Sequence, residues 1–162
     1  MIDKLVSLEQ LKGLVDRFRS EGKRIAWTNG CFDIIHAGHV DYLQRSKAYG
    51  DYLVVGLNSD TSVRQLKGEL RPIFSEQDRA KVLCALSPVD FVIIFSDKSP
   101  IKIIEQLQPE FYIKGGDYTL DTIDQAERKV VEGYGGQIVL LPMVAGVSSS
   151  IIVEKIKKLS DL

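Results

Sequence analysis

The chain has 162 residues, enough for one domain with a single core and too few for two ordinary ones, so residues 1–162 are expected to form one domain, with an N-terminal helix in 1–22 and a core over 23–162. Lys and Arg number 21 against 22 Asp and Glu; a net charge of −1 excludes any general attraction for nucleic acid or an acidic membrane and makes phosphate binding a local matter. Two cysteines, Cys31 and Cys84, exclude a disulfide framework or a Cys-x-x-Cys metal site and fit reduced thiols in the cytoplasm.

Met1-Ile2-Asp3-Lys4 mixes charges and lacks the apolar run of a signal peptide. Leu8, Leu11, Leu14, Val15 and Phe18 recur at helical spacing, which predicts an amphipathic helix over 7–21, placed across an edge of the sheet. Ile25-Ala26-Trp27-Thr28 is a short buried strand that breaks at Asn29-Gly30, and a helix runs from near Gly38 to Gly50. Residues 52–58 form a second strand, 61–66 a short helix, and Lys67-Gly68-Glu69-Leu70-Arg71-Pro72 a loop. Ser75 begins a helix with Ala80, Val82, Leu83 and Leu86 as its apolar set. Strands over 89–95, 111–114 and 137–141 then alternate with helices over 100–107, 121–132 and 148–159. The longest apolar stretch, 138–147, is broken by Pro142 and Gly146 and falls short of the roughly 20 residues of a membrane span, so no membrane partner is expected.

Five apolar strands alternating with helices predict an α/β fold: an open, parallel, five-stranded, Rossmann-like sheet with helices on both faces. Ligands in such sheets bind beyond the carboxyl ends of the strands, where strand order reverses. The loops at 30–39, 58–60, 96–100, 114–118 and 146–150 each follow a strand and are expected to converge on one rim. Neither Gly-x-Gly-x-x-Gly nor Gly-x-x-x-x-Gly-Lys-Ser/Thr is present, which disfavours dehydrogenase and P-loop readings.

His36 and His39 are the only histidines in the chain, and they sit three apart where the first strand hands over to a helix. Helix starts carry unpaired N–H groups and partial positive charge, so an anion is stabilised there. Gly30 and Gly38 let it approach the backbone, and two imidazoles on one side of the first turn would face it. The bland alternative is a cap and a surface residue; a His-x-x-x-His metal pair would need a spacing of four.

Thr28-Asn29-Gly30-Cys31-Phe32-Asp33 followed by His36-Ala37-Gly38-His39 resembles the His-x-Gly-His signature of the nucleotidyltransferase superfamily that includes the cytidylyltransferases and, more distantly, the class I aminoacyl-tRNA synthetases. Leu66-Lys67-Gly68, Arg71-Pro72, Glu76-Gln77-Asp78-Arg79, Lys114-Gly115-Gly116-Asp117-Tyr118 and Gly146-Val147-Ser148-Ser149-Ser150 extend the likeness, which is strongest to the heptose 1-phosphate adenylyltransferases. These are often the C-terminal half of bifunctional heptose kinase/adenylyltransferases; at 162 residues a free-standing form is implied.

The resemblance implies attack by a sugar 1-phosphate on the α-phosphorus of ATP, giving ADP-heptose and pyrophosphate for lipopolysaccharide core or related glycans. A phosphate monoester is already anionic, so catalysis reduces to alignment and charge stabilisation, with no covalent intermediate. Cys31 is then a packed thiol rather than a nucleophile. By resemblance His36 and His39 contact the triphosphate, and Lys67 closes over the α-phosphate; its alternative is a solvated loop charge. Asn29, Gly30, Cys31, Phe32, Asp33 and Gly38 would form the nucleotide loop, with Asn58, Asp60, Lys114, Gly115, Gly116 and Asp117 facing it. Asp33 and Asp60 would orient hydroxyls or the nucleotide, and Asp33 can equally cap the following turn. Arg71 and Arg79 are candidate anion contacts, Arg79 alternatively pairing with Glu76. Ser148, Ser149 and Ser150 would supply one N-cap and hydroxyls for the outer phosphates. Magnesium is expected on the phosphates, without a protein metal cage. Glycerol phosphate cytidylyltransferases carry an Arg where this chain has Met143, which weakens a CTP assignment. A CTP-dependent cytidylyltransferase and a non-catalytic nucleotide-binding module stay as alternatives, and a homodimer is implied by the likeness.

Overall fold

A computed structural model describes residues 3–142, 146 and 148–160. Five parallel strands, β1 (Ile25–Gly30), β2 (Tyr52–Asn58), β3 (Phe91–Phe95), β4 (Phe111–Gly115) and β5 (Gln137–Leu141), form one sheet in the order β3-β2-β1-β4-β5. Chain order reverses between β1 and β4, and that switch point is the natural ligand crevice of such a sheet. β1 and β2 pair in register from Ile25 opposite Tyr52 to Gly30 opposite Leu57, so the two strands end together at the rim.

Side-chain alternation divides the core into two layers. Trp27, Val54 and Tyr112 face α1 (Leu8–Ser20), α5 (Ile101–Leu107) and α6 (Gln125–Gly133), whose Leu11, Val15, Phe18, Ile104 and Val131 complete that layer. Ala26, Leu53, Val55 and Ile113 face α2 (Ala37–Lys47) and α4 (Glu76–Ala85), with Leu43, Ala80 and Leu83. The Val, Leu, Ile and Phe side chains among these contribute about 1.5–3 kcal/mol each on burial. Gly56 on β2 is required by a close approach, because a Cβ there would run into the Trp27 indole.

Helix α1 begins with a reciprocal cap: the Ser7 hydroxyl accepts from Gln10 N, and the Gln10 side chain accepts from Ser7 N. It lies on a face of the sheet rather than across an edge, its Phe18 stacked 3.8 Å from Tyr52. The edge is covered instead by residues 4–6, which bond to β3 through Val6 N to Val92 O (3.0 Å) and Val92 N to Lys4 O (2.7 Å).

Several boundaries differ from those predicted, each for a local reason. A short helix, α3 (Asp60–Lys67), is capped by the Ser59 hydroxyl and runs one residue further at each end than predicted, so Lys67 is helical and Gly68, at φ +96°, makes the stop. Helix α6 begins only at Gln125, because the Asp124 carboxylate caps Ala126 N and Glu127 N. Val82 is exposed rather than core, since α4 turns Arg79, Ala80 and Leu83 inward. The last helix, α7 (Ser149–Ser160), follows β5. No helix among the described residues is long and apolar enough to cross a membrane.

Candidate active site

At the carboxyl end of β1 the chain leaves the sheet through Cys31 and Phe32. Phe32 is buried at φ +44°, a left-handed conformation that a bulky residue holds only when its surroundings enforce it. Its ring lies over Gly30, where a Cβ would come within 3.1 Å, and its centroid is 5.5 Å from that of His39. The turn therefore delivers the histidines to the rim at the switch point.

His36 is the N-cap of α2 and His39 stands three residues on, with ring centroids 4.0 Å apart. The His36 backbone N–H donates to His39 Nδ1 at 3.3 Å. A neutral imidazole accepting at Nδ1 carries its proton on Nε2, so His39 offers an N–H donor there. Burial, the neighbouring His36 and the Lys67 ammonium together push the His39 pKa down to about 4; burial lowers that of His36 as well. Both rings are uncharged at neutral pH in the free protein, and His36 Nδ1 is buried without a protein partner.

A cavity of about 150 Å³ opens at this point, lined by Asn29, Gly30, Cys31, Phe32, Asp33, His39, Tyr42, Lys67, Gly115 and Ser149. These come from β1 and its exit, α2, the last turn of α3, the end of β4 and the first turn of α7. Tyr42 was not among the predicted residues. It lies on α2 three positions after His39, the spacing that could have revealed it. Its hydroxyl is 2.6 Å from Thr28 Oγ1 and donates to Ile113 O at 3.2 Å, and burial raises its pKa to about 12, so it remains a neutral phenol.

Other predicted residues belong to the scaffold beneath. Arg79 is 1% exposed: Nε donates to Phe74 O (3.0 Å), Nη1 to Cys31 O (2.6 Å) and Asn58 O (2.8 Å), and Nη2 to Asp60 Oδ1 (2.7 Å). The expected anion contact and the Glu76 pair are both corrected: the guanidinium staples the exits of β1 and β2 to the start of α4, while Glu76 accepts from Asp60 N at 2.7 Å. Asp60 thus pairs with Arg79, and Asn58 donates to Ser62 Oγ at 2.8 Å. Asp33, 3% exposed, accepts from Arg71 Nε (2.6 Å), Ile73 N (2.9 Å) and Phe74 N (3.0 Å), clamping the α3–α4 connection rather than orienting a substrate hydroxyl. Burial pushes its pKa up, but the Phe74 and Ile73 amides and Arg71 outweigh this and hold it below the usual carboxylate value. Arg71 keeps a buried Nη2 without a protein acceptor.

Lys114 does not line the cavity; its ammonium is 2.7 Å from Glu127 Oε2. Gly115 does line it, and the next residue, Gly116, adopts φ +138°. Asp117 is exposed. Ser148 Oγ accepts from Ile151 N at 3.1 Å as a cap, Ser149 Oγ donates to Ile34 O at 3.3 Å, and Ser150 is exposed. Gly38 is buried in the first turn of α2. For Cys31, burial raises the thiol pKa against the opposing effect of Lys67, so it stays protonated. The loop at 96–100 does not reach the cavity: β3 is the sheet edge two strands from β1, about 10 Å away, and Asp97 O accepts from Ser62 instead. Met143 lies outside the described residues.

A neutral imidazole N–H, an ammonium and a helix start around a small cavity at the switch point suit an anion whose charge grows during reaction. A family profile described as cytidylyltransferase-like matches residues 27–155. The chain belongs to the cytidylyltransferase-like family. The bifunctional protein HldE of Geobacter sulfurreducens is 48% identical over 155 residues, 96% of this chain and 31% of that protein. HldE of Hyphomonas neptunium is 50% identical over 151 residues, 93% of this chain and 31% of its own length. The chain thus spans about a third of the length of the curated relatives it matches. Among solved structures, a lipopolysaccharide core biosynthesis protein from Thermoplasma volcanium is 30% identical with a TM-score of 0.61, covering 76% of this chain and 98% of that one. Pantoate-beta-alanine ligase from Francisella tularensis, at 12% identity and a TM-score of 0.62 over 99% of this chain and 79% of that one, shares the fold alone.

Proposed function

We propose that this cytidylyltransferase-like chain transfers AMP from ATP to heptose 1-phosphate, releasing pyrophosphate and forming ADP-heptose for lipopolysaccharide core or a related surface glycan. The observation that carries the reading is the cavity at the β1/β4 switch point, where His39, Lys67 and Ser149 meet although they are far apart in sequence. In this reading the triphosphate lies there, its α-phosphorus toward His36, His39 and Lys67. Asn29, Gly30, Cys31, Phe32 and Gly115 form the walls, and the first turn of α7 receives the outer phosphates. The acceptor phosphate attacks in line, and Arg71 Nη2 is a candidate contact for it. His39 Nε2–H and the Lys67 ammonium stabilise charge on the transferring phosphoryl group and the departing pyrophosphate.

Magnesium fits this site only as a companion of the triphosphate. Among the described residues lining the cavity, Asp33 is the one carboxylate, and its oxygens are engaged by Arg71, Ile73 and Phe74. The ion would be held by phosphate oxygens, where it neutralises charge on the leaving group.

Choice of ATP and a heptose acceptor rests on the sequence likeness to the heptose 1-phosphate adenylyltransferases and to a lipopolysaccharide core biosynthesis protein. The likeness also implies a cytoplasmic homodimer, which light scattering on the purified chain tests. The deciding experiment is pyrophosphate release with ATP or CTP in the presence of heptose 1-phosphate or glycerol 3-phosphate. Turnover with ATP and heptose 1-phosphate is expected. Turnover only with CTP would move the assignment to a cytidylyltransferase, and ATP binding without turnover of any acceptor would make it a binding module.

A further inference from the structure

Below the cavity, between β1, β4 and α6, lies a buried polar cluster that no step above uses. Glu127, in the first turn of α6, is 4% exposed. Its Oε1 accepts from Ser99 Oγ at 2.9 Å, and Oε2 accepts from the Tyr112 hydroxyl and stands 2.7 Å from Lys114 Nζ. The Tyr112 oxygen is also 3.4 Å from Asn29 Oδ1, and that same Oδ1 accepts from Trp27 Nε1 at 3.2 Å.

Two elementary constraints order this cluster. An indole N–H can only donate, so the Asn29 atom facing Trp27 is the oxygen, and the amide NH₂ is the remaining end of a side chain that lines the cavity. A phenol has one proton, and the carboxylate is the stronger acceptor, so Tyr112 commits its proton to Glu127. Burial and the Glu127 charge both raise the Tyr112 pKa, which keeps that proton in place.

Stability alone gives little reason for a carboxylate here. Glu127 and Val131 are the buried residues of α6, four apart on one face, and an apolar side chain at 127 would suit that face. Buried ion pairs are often no more stabilising than apolar residues of similar size. What the carboxylate does is tie two β4 side chains, Tyr112 and Lys114, to the first turn of α6 and, through Ser99, to the segment after β3.

We infer that Glu127 is a positioning residue for nucleotide binding: through Lys114 and Tyr112 it fixes the end of β4 at Gly115, one wall of the cavity. The inference rests on the proposed nucleotidyltransferase reading. Neither His39 nor Lys67 is touched, so loss of Glu127 affects binding of ground state and transition state alike, and KM moves rather than kcat.

The test is pyrophosphate release by the full chain with ATP, magnesium and heptose 1-phosphate, together with calorimetric ATP binding in the absence of acceptor. For Glu127→Gln the KM and Kd for ATP are expected to rise about tenfold with kcat within about threefold. Tyr112→Phe, which removes one of the two β4 contacts to Glu127 while conserving shape, is expected to shift KM in the same direction. Ser99→Ala, which loses only the Oε1 bond, should lower Tm and leave KM unchanged. Wild-type KM and Kd in both Glu127→Gln and Tyr112→Phe would overturn the inference, as would a fall in kcat matching the folded fraction at constant KM. A wild-type chain that binds ATP but turns over no acceptor refutes the proposed reaction and leaves the Kd comparison to decide the role of Glu127. A wild-type chain that binds no ATP removes both.

Discussion

Replacing Arg79 by Met separates a structural staple from a phosphate ligand. The substitution keeps a long side chain but deletes four donated hydrogen bonds, leaving the Cys31, Asn58 and Phe74 carbonyls and the Asp60 carboxylate without this partner. Removing one member of a buried charged pair costs about 3–5 kcal/mol. The Asp60 side chain is 27% exposed, so water recovers part of its loss and the lower end, about 3 kcal/mol, applies. For a domain of this length each kcal/mol moves Tm by roughly 2–4 °C, which gives a drop of about 6–12 °C. Circular dichroism melts read that shift, and calorimetry with ATP at a temperature where both proteins are folded reads binding. A large fall in Tm with ATP affinity within about threefold is expected. An unchanged Tm with affinity reduced more than tenfold would refute the reasoning and restore Arg79 as an anion ligand.

Three further outcomes follow from the site. His39→Ala should lower turnover about 10²–10³-fold, the range for loss of one donor aimed at developing charge, with little change in Tm; near-normal turnover contradicts its role. His39 has a folded-state pKa lowered from 6.5 to about 4, so the unfolded chain binds more protons between these values. Its contribution to stability is present above pH 6.5 and lost as pH falls toward about 4, so Tm should decline through that window and decline less in His39→Gln; identical profiles would show that another group is responsible. Cys31→Ser should keep turnover within about threefold, because no covalent intermediate is needed and the thiol is protonated; complete loss, with folding intact, would point to a nucleophile.

The rim was legible in the sequence because its signals are local. The apolar strands, the break at Asn29-Gly30 and the paired histidines placed the switch-point loop, and the serine run placed the start of α7. Burial is not local, and there the reading departed from the structure. Arg79, Asp33, Asn58 and Asp60 have the polar chemistry of a site, yet Arg79, on the inward face of α4, holds Asp60 and backbone carbonyls, Asp33 is held by Arg71 and the Ile73 and Phe74 amides, and Asn58 donates to Ser62. Lys114 reads as a loop cation but meets a carboxylate contributed by a helix thirteen residues later. Glu127 looks like a solvated charge on a polar helix, and only the packing of α6 on Tyr112 reveals it. Lys67, by contrast, lines the cavity, although it closes a helix rather than riding on a loop.

A structure of the chain with ATP tests the central claim most directly. The α-phosphate is expected within about 3 Å of His39 Nε2 and Lys67 Nζ, with the outer phosphates at the first turn of α7. Nucleotide lodged instead in the larger apolar cavity of about 650 Å³ beside Phe74 and Val82, or at the opposite ends of the strands, would contradict it.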